Sequence, residues 1–227
     1  MVTRVHWLHD KSSRYADQLA VPAGLDVRFV TPEVAEQQRD WPEVLVNGNP
    51  SEALLDGSQL RHVIVPWAGI GSALRERASA RPHLTVHNSH YNGAMVAQHA
   101  LALLLACSNR IVAADRAMRQ GDWGSDLDPR HLGVQLSGKV ALLLGYGSIG
   151  KALQPLLEAL GMEVRAYRRR PEQGAGVRQY GEGQLLQALA EADAVMVSLP
   201  NTPATTGLLA EAELARLKPS AVVVNVG

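Results

Sequence analysis

The feature that most constrains this chain is the apolar run Val140-Ala141-Leu142-Leu143-Leu144, which ends in Gly145-Tyr146-Gly147-Ser148-Ile149-Gly150. Beyond it, Leu153, Leu156 and Leu160 continue from Ile149 at helical spacing, so the segment reads as strand, glycine turn and helix. Each glycine has its own task in such a unit. Gly145 permits the tight turn, Gly147 lets the backbone approach a pyrophosphate, and Gly150 allows close helix–strand packing. The helix start adds free N–H groups and the positive end of the helix dipole. Alone, the glycines are a weak signal; between a strand and a helix they point to a dinucleotide-phosphate loop made by Gly145, Tyr146, Gly147, Ser148, Ile149 and Gly150. Pro155 falls inside the expected helix, Ser148 to Leu160, where it removes a hydrogen bond and has no functional reading.

Around this unit the chain alternates strands and helices. Downstream, strands are expected at Lys139–Leu144, Glu163–Tyr167, Ala194–Leu199 and Ala221–Val226, with helices at Gln184–Ala190 and Ala212–Leu217. Upstream, strands are expected at Val2–Leu8, Val27–Val30, Val44–Val46, His62–Val65 and Thr85–His87. The helices between them are Ser13–Ala20, Glu33–Gln38, Ser51–Leu55 and Ile70–Ser79. Continuous apolar strands separated by helices specify an α/β fold with doubly wound parallel sheets. From Gly93 to Arg119 one long helix is expected. Its first half is apolar nearly all the way round, so it should be buried on most sides, as between two domains. Cys107 in that stretch reads as a buried thiol.

Composition narrows the function classes. Lys plus Arg and Asp plus Glu are both 22, which leaves no basic excess for nucleic acid or an anionic membrane. A single cysteine excludes an intrachain disulfide framework and fits a reducing compartment. The first residues lack a signal-peptide core, and the longest apolar run, Ala100 to Cys107, is too short to span a bilayer. These traits point to a cytoplasmic protein. The spacing of His87 and His90 is that of a metal pair, but no further ligands accompany it.

The residues after the second strand of the glycine unit speak to the nucleotide. Where an acidic side chain would accept from the adenosine ribose of NAD, the chain has Arg168-Arg169-Arg170. Guanidinium groups suit a 2′-phosphate through charge-assisted, bidentate hydrogen bonds, so NADP is expected in preference to NAD.

Four further segments, in order, resemble the D-isomer-specific 2-hydroxyacid dehydrogenases. They are Val96-Ala97-Gln98-His99 through Ala106, Leu136-Ser137-Gly138-Lys139-Val140, Ser198-Leu199-Pro200-Asn201-Thr202-Pro203 through Leu209, and Leu217-Lys218-Pro219-Ser220-Ala221 leading to Gly227. The resemblance implies a flavodoxin-like α/β substrate domain over residues 1–90 and a Rossmann cofactor domain over 91–227. It also implies hydride transfer between NAD(P)H and a small 2-keto or 2-hydroxy acid of glyoxylate or hydroxypyruvate type, and a homodimer. It places the substrate carboxylate on backbone amides at Trp67, Ala68, Gly69 and Ile70, with Trp67 in the pocket wall or in packing. Leu199, Pro200 and Thr205 match positions shaping the cofactor pocket, with Met95 or Val96 near the nicotinamide end; His99 reads as structural, and His90 and Tyr91 as pocket-rim residues. The family's catalytic arginine, glutamate and histidine follow the position of Gly227, so no catalytic residue is assigned in this chain. The sequence is expected to be a piece of a longer protein whose cofactor domain is incomplete here. A non-catalytic, corepressor-like nucleotide sensor on the same fold is the alternative reading.

Overall fold

A computed structural model describes residues 2–8, 20–123, 133–172, 174 and 176–227. Two compact units result, Met1–Tyr91 and Asn92–Gly227.

The first unit is a parallel five-stranded sheet in the order β2-β1-β3-β4-β5. Its strands are β1 (Thr3–Leu8), β2 (Leu25–Val30), β3 (Val44–Val46), β4 (His62–Val65) and β5 (Thr85–Asn88). Its helices are α1 (Pro32–Gln37), α2 (Glu52–Leu55) and α3 (Ser72–Ser79). Proline opens α1 behind Thr31, whose hydroxyl faces the Val34 amide, a start that costs no helical hydrogen bond. α3 begins at Ser72, two residues later than its apolar pattern suggests, because residues 66–71 form a loop tied back by its carbonyls. The expected helix at Ser13–Ala20 falls almost wholly outside the described residues. Leu45, Leu55, Leu60, Val63 and Val65 are fully buried in the core, each leucine contributing about 2–3 kcal/mol by leaving water. His6 is fully buried too. It stacks on Trp41 at 4.8 Å, and neither ring nitrogen has a hydrogen-bond partner among the described residues.

The second unit carries a parallel sheet in the order β10-β9-β6-β7-β8. The strands are β6 (Val140–Leu144), β7 (Glu163–Tyr167), β8 (Arg178–Tyr180), β9 (Ala194–Val197) and β10 (Val222–Asn225). The helices are α4 (Gly93–Ser108), α5 (Ile111–Arg119), α6 (Ser148–Ala159), α7 (Leu185–Glu191) and α8 (Glu211–Leu214). β6 is central and buried on both faces. Ala141 and Leu143 join one apolar cluster with Leu153 and Leu157, while Leu142 and Leu144 join another with Tyr180 and Leu189, the period-2 alternation of a strand covered on both sides. Renumbered within its unit, this sheet has the order 3-2-1-4-5, whereas the first has 2-1-3-4-5; both orders are doubly wound. α6 runs through Pro155, which lies on its exposed side, where the Lys151 carbonyl that loses its helical donor can turn to water.

Three expectations need correction. The long helix breaks into α4 and α5, bent by 61°, with Arg110 in the left-handed region at φ 53°. Asn109 Nδ2 donates to the Leu105 carbonyl at 3.0 Å, and the Val134 amide takes the Ser108 carbonyl at 2.8 Å. These bonds satisfy the helix end and let it stop. Second, α4 buries one stripe only, Gly93, Ala97, Ala100, Leu104 and Ser108. Cys107 lies off that stripe and is exposed within this chain. Third, β8 has no apolar run to announce it. It is a short edge strand, fastened by Arg165, which reaches Glu163, Tyr180 and Glu191.

Among the described residues no single helix is long and apolar enough to cross a membrane.

Candidate functional site

The glycine loop leaves β6 at the point where the strand order of its sheet reverses, the place where open α/β sheets bind ligands. Gly145 sits at φ 98°, and a Cβ there would lie 3.1 Å from the Ser198 carbonyl oxygen. Its amide donates to Tyr167 O, and its carbonyl accepts from Ser198 Oγ at 3.3 Å. The loop is thereby tied to both flanking strands, β7 and β9. A Cβ on Gly150 would lie 2.6 Å from Gly145 O, so only glycine lets α6 start this close to the turn. Gly147 differs: nothing lies within 4 Å of its would-be Cβ. It is the N-cap of α6 and provides no side-chain cap, so the first-turn amides of Ser148, Ile149 and Gly150 have no intrahelical acceptor. An open approach, amides unpaired among the described residues and a helix dipole suit an oxyanion, and these residues fit a dinucleotide's phosphates.

The Tyr146 side chain points elsewhere. It is buried, and its hydroxyl contacts Gln154; burial, then the charges of Glu158 and Glu172, push its pKa up. What the loop can offer at this position is main chain. Gly93 at the start of α4 packs on Ser148, a would-be Cβ meeting Ser148 Cβ at 3.2 Å; Val96, three residues on in α4, is half-buried.

Arg168 continues β7, its amide donating to Tyr180 O, and its guanidinium is paired with Glu172 at 2.5 Å. Arg169 and Arg170 are exposed. Leu199 is half-buried against the Leu142–Leu189 cluster, and Pro200 is exposed. Thr205 Oγ1 donates to Pro200 O at 2.5 Å and accepts from the Thr202 amide at 2.9 Å, so its hydroxyl proton staples its own turn.

In the first unit, the loop after β4 has the carbonyls of Trp67, Ala68 and Ile70 occupied and the amides of residues 67–70 open among the described residues. Trp67 O accepts from the Ser89 amide, Ala68 O from Asn88 Nδ2 at 2.6 Å, and Ile70 O from Arg75 Nε at 3.1 Å. Among the described residues, the amides of Trp67, Ala68, Gly69 and Ile70 donate to no protein acceptor. The Trp67 ring lies where a side chain on Gly48 would be, yet the residue stays 51% exposed, so it both packs and faces solvent. His87 meets His62 at 3.3 Å and His90 meets Asn88 at 3.1 Å; the two do not converge. A surface concavity lined by Glu52, Asp56, Arg77 and Arg81 also belongs to this unit. Its Arg81 is paired with Glu52 and Asp56 at 2.5 and 2.8 Å, and its Arg77 donates to Pro50 O and Asn49 Oδ1.

Sequence reasoning missed Ser198, Lys151, Glu172 and Gln179. The one available signal was the opposite charge of Glu172 four residues after Arg168.

Residues 101–227 match the family described as D-isomer specific 2-hydroxyacid dehydrogenase, NAD binding domain. D-3-phosphoglycerate dehydrogenase from Mycobacterium bovis is 34% identical over 179 residues, 77% of this chain and 33% of that protein. Glyoxylate reductase from Thermococcus litoralis is 31% identical over 189 residues, 80% of this chain and 56% of that protein. The chain thus spans about a third to just over half of these curated relatives. A D-isomer specific 2-hydroxyacid dehydrogenase family protein from Aeromonas salmonicida superposes with a TM-score of 0.83 at 24% identity, over 100% of this chain and 73% of that one. With the family match covering residues 101–227 and the glycine loop set at the switch point of a parallel sheet, this chain belongs to the D-isomer-specific 2-hydroxyacid dehydrogenase family.

Proposed function

We propose that this protein serves hydride transfer between NAD(P)H and C2 of a small 2-keto or 2-hydroxy acid, of glyoxylate or hydroxypyruvate type, with NADP preferred. The observation that carries the reading is the uncapped first turn of α6, open at Gly147. When bound, the nicotinamide supplies the hydride; the chain's residues bind and orient. The amides of Ser148, Ile149 and Gly150 hold the pyrophosphate. Val96, Leu199 and Pro200 form pocket wall, and Thr205 keeps the turn beside them in shape. Arg168 and Arg169 face the adenosine ribose. Residues 1–90 are assigned to the substrate and 91–227 to the cofactor. The open amides of residues 67–70, with the carbonyls of Trp67, Ala68 and Ile70 pinned, form a backbone site for the acid's carboxylate. No histidine within residues 1–227 is given an acid/base role. The similarity to the T. litoralis glyoxylate reductase supports a small keto acid. The working form is proposed to be a cytoplasmic homodimer, for which exposed Met95, Ile111 and Val112 offer apolar surface.

The test is nucleotide binding by the full protein, followed by turnover of glyoxylate and hydroxypyruvate with NADPH and NADH. NADPH-dependent turnover is expected. Equal or tighter NADH binding overturns the NADP preference. No turnover with binding retained favours a nucleotide-sensing, corepressor-like role.

A further inference from the structure

Next to the glycine loop, one carboxylate is shared by two cations from different elements. Glu172 Oε2 lies 2.5 Å from Arg168 Nη1, at the end of β7, and 3.8 Å from Lys151 Nζ, on α6 immediately after Gly150. The Lys151 ammonium also stands 5.9 Å from the ring centre of Tyr146. Glu172 is held in place by its own main chain. Its amide donates to Gln179 Oε1 at 2.8 Å, and its carbonyl accepts from Gln179 Nε2 at 3.0 Å. β7, β8 and α6 therefore assemble the cluster together. Hydrogen bonding to Arg168, then the charge of Lys151, holds the Glu172 carboxyl below the usual range, so it is an anion at neutral pH.

We infer that Glu172 is an internal counter-anion in the seat of an adenosine 2′-phosphate, and that Lys151 joins Arg168 in recognising that phosphate when Glu172 turns away. The inference rests on the reading that residues 145–150 hold a nicotinamide dinucleotide. A phosphate monoester brings about −1.5 to −2 charges at neutral pH and three acceptor oxygens. Glu172 brings one charge and two oxygens, so the phosphate is the better partner for two cations. The resident pairs are more than half exposed on the Glu172 and Lys151 sides, at 52% and 58%, and such ion pairs open at little cost. A Glu172 that stays in place repels the phosphate. The side chain therefore sets how strongly the protein favours NADP.

The experiment titrates the full chain with 2′,5′-ADP and with 5′-AMP by calorimetry, comparing wild type with Glu172→Gln, Glu172→Ala and Lys151→Met. Losing the counter-anion is expected to tighten 2′,5′-ADP about five- to tenfold and leave 5′-AMP within about twofold; Lys151→Met is expected to weaken 2′,5′-ADP by a similar factor. An unchanged ratio of the two affinities in the Glu172 and Lys151 variants, with both nucleotides still bound, overturns the inference and leaves the dinucleotide reading standing. Weaker 5′-AMP binding in the Glu172 variants makes Glu172 a ribose acceptor and also overturns it. Failure of wild type to bind either nucleotide overturns both.

Discussion

The loop after β6 and the loop after β4 each follow an apolar parallel strand and each lead into a helix, yet glycine does different work in them. At residues 145–150 the backbone is crowded: would-be Cβ atoms on Gly145 and Gly150 meet carbonyl oxygens at 3.1 and 2.6 Å. At residues 66–71 neither Gly69 nor Gly71 has anything within 4 Å. The first loop is shaped by close packing, the second by hydrogen bonds to its carbonyls. Among the described residues both leave amides unpaired, but only the first needs glycine for steric reasons.

The sharpest way to break this comparison is to add one methyl group to each loop. Gly150→Ala pushes a Cβ against Gly145 O, and is expected to weaken dinucleotide binding at least about 100-fold and to destabilise the cofactor unit by about 1–3 kcal/mol. Gly69→Ala should leave stability within about 0.5 kcal/mol. Calorimetric titration and thermal melts of the two variants read both effects; equal losses would sink the contrast.

A smaller effect separates the cores of the units. Burial, and then the Arg28 charge, lower the pKa of His6, against a weaker opposing pull from Asp26. The unfolded chain therefore takes up a proton more readily than the folded one. This contribution to stability is complete above the ordinary histidine pKa of about 6.5 and is lost as pH falls through the lowered value. Melts between pH 8 and 5 should show the loss, and His6→Phe, which keeps a ring against Trp41, should flatten it. Because neither ring nitrogen has a partner among the described residues, His6→Phe at pH 8 should be neutral or stabilising by about 1 kcal/mol. A strongly destabilised variant would mean the nitrogens have partners.

Smaller again is Asn88→Ala, which removes the bond to Ala68 O. It should cost under about 1 kcal/mol and weaken binding of a small carboxylate such as oxamate without changing nucleotide affinity. The smallest effect concerns Cys107, exposed within this chain. Iodoacetamide should label it in the folded protein with no change in melting temperature; protection would mean that another surface covers that side of α4.

The strands of the first unit and the centre of the second were legible in sequence. Val140–Leu144 reads as a strand because both its faces are buried, and Gly145, Gly147 and Gly150 are local turn chemistry that needs no distant partner. Arg168 and Glu172 were visible as opposite charges four residues apart, but the anchoring of Glu172 by Gln179 from β8 and the approach of Lys151 from α6 were not. β8 itself was missed because Arg178-Gln179-Tyr180 acquires strand geometry from pairing with β7, not from its own pattern. The break before α5 was missed for a similar reason: Val134 completes the Ser108 cap from 26 residues away.

By itself, the sequence determined the class of fold, the glycine loop and the alternation of strands and helices, because each depends on periodicity and turn residues within a few positions. Only the tertiary structure decided the two strand orders, the exposed side of α4 that carries Cys107, and the meeting of Lys151 with the Arg168–Glu172 pair. These depend on which distant segments meet, and local periodicity does not encode that choice.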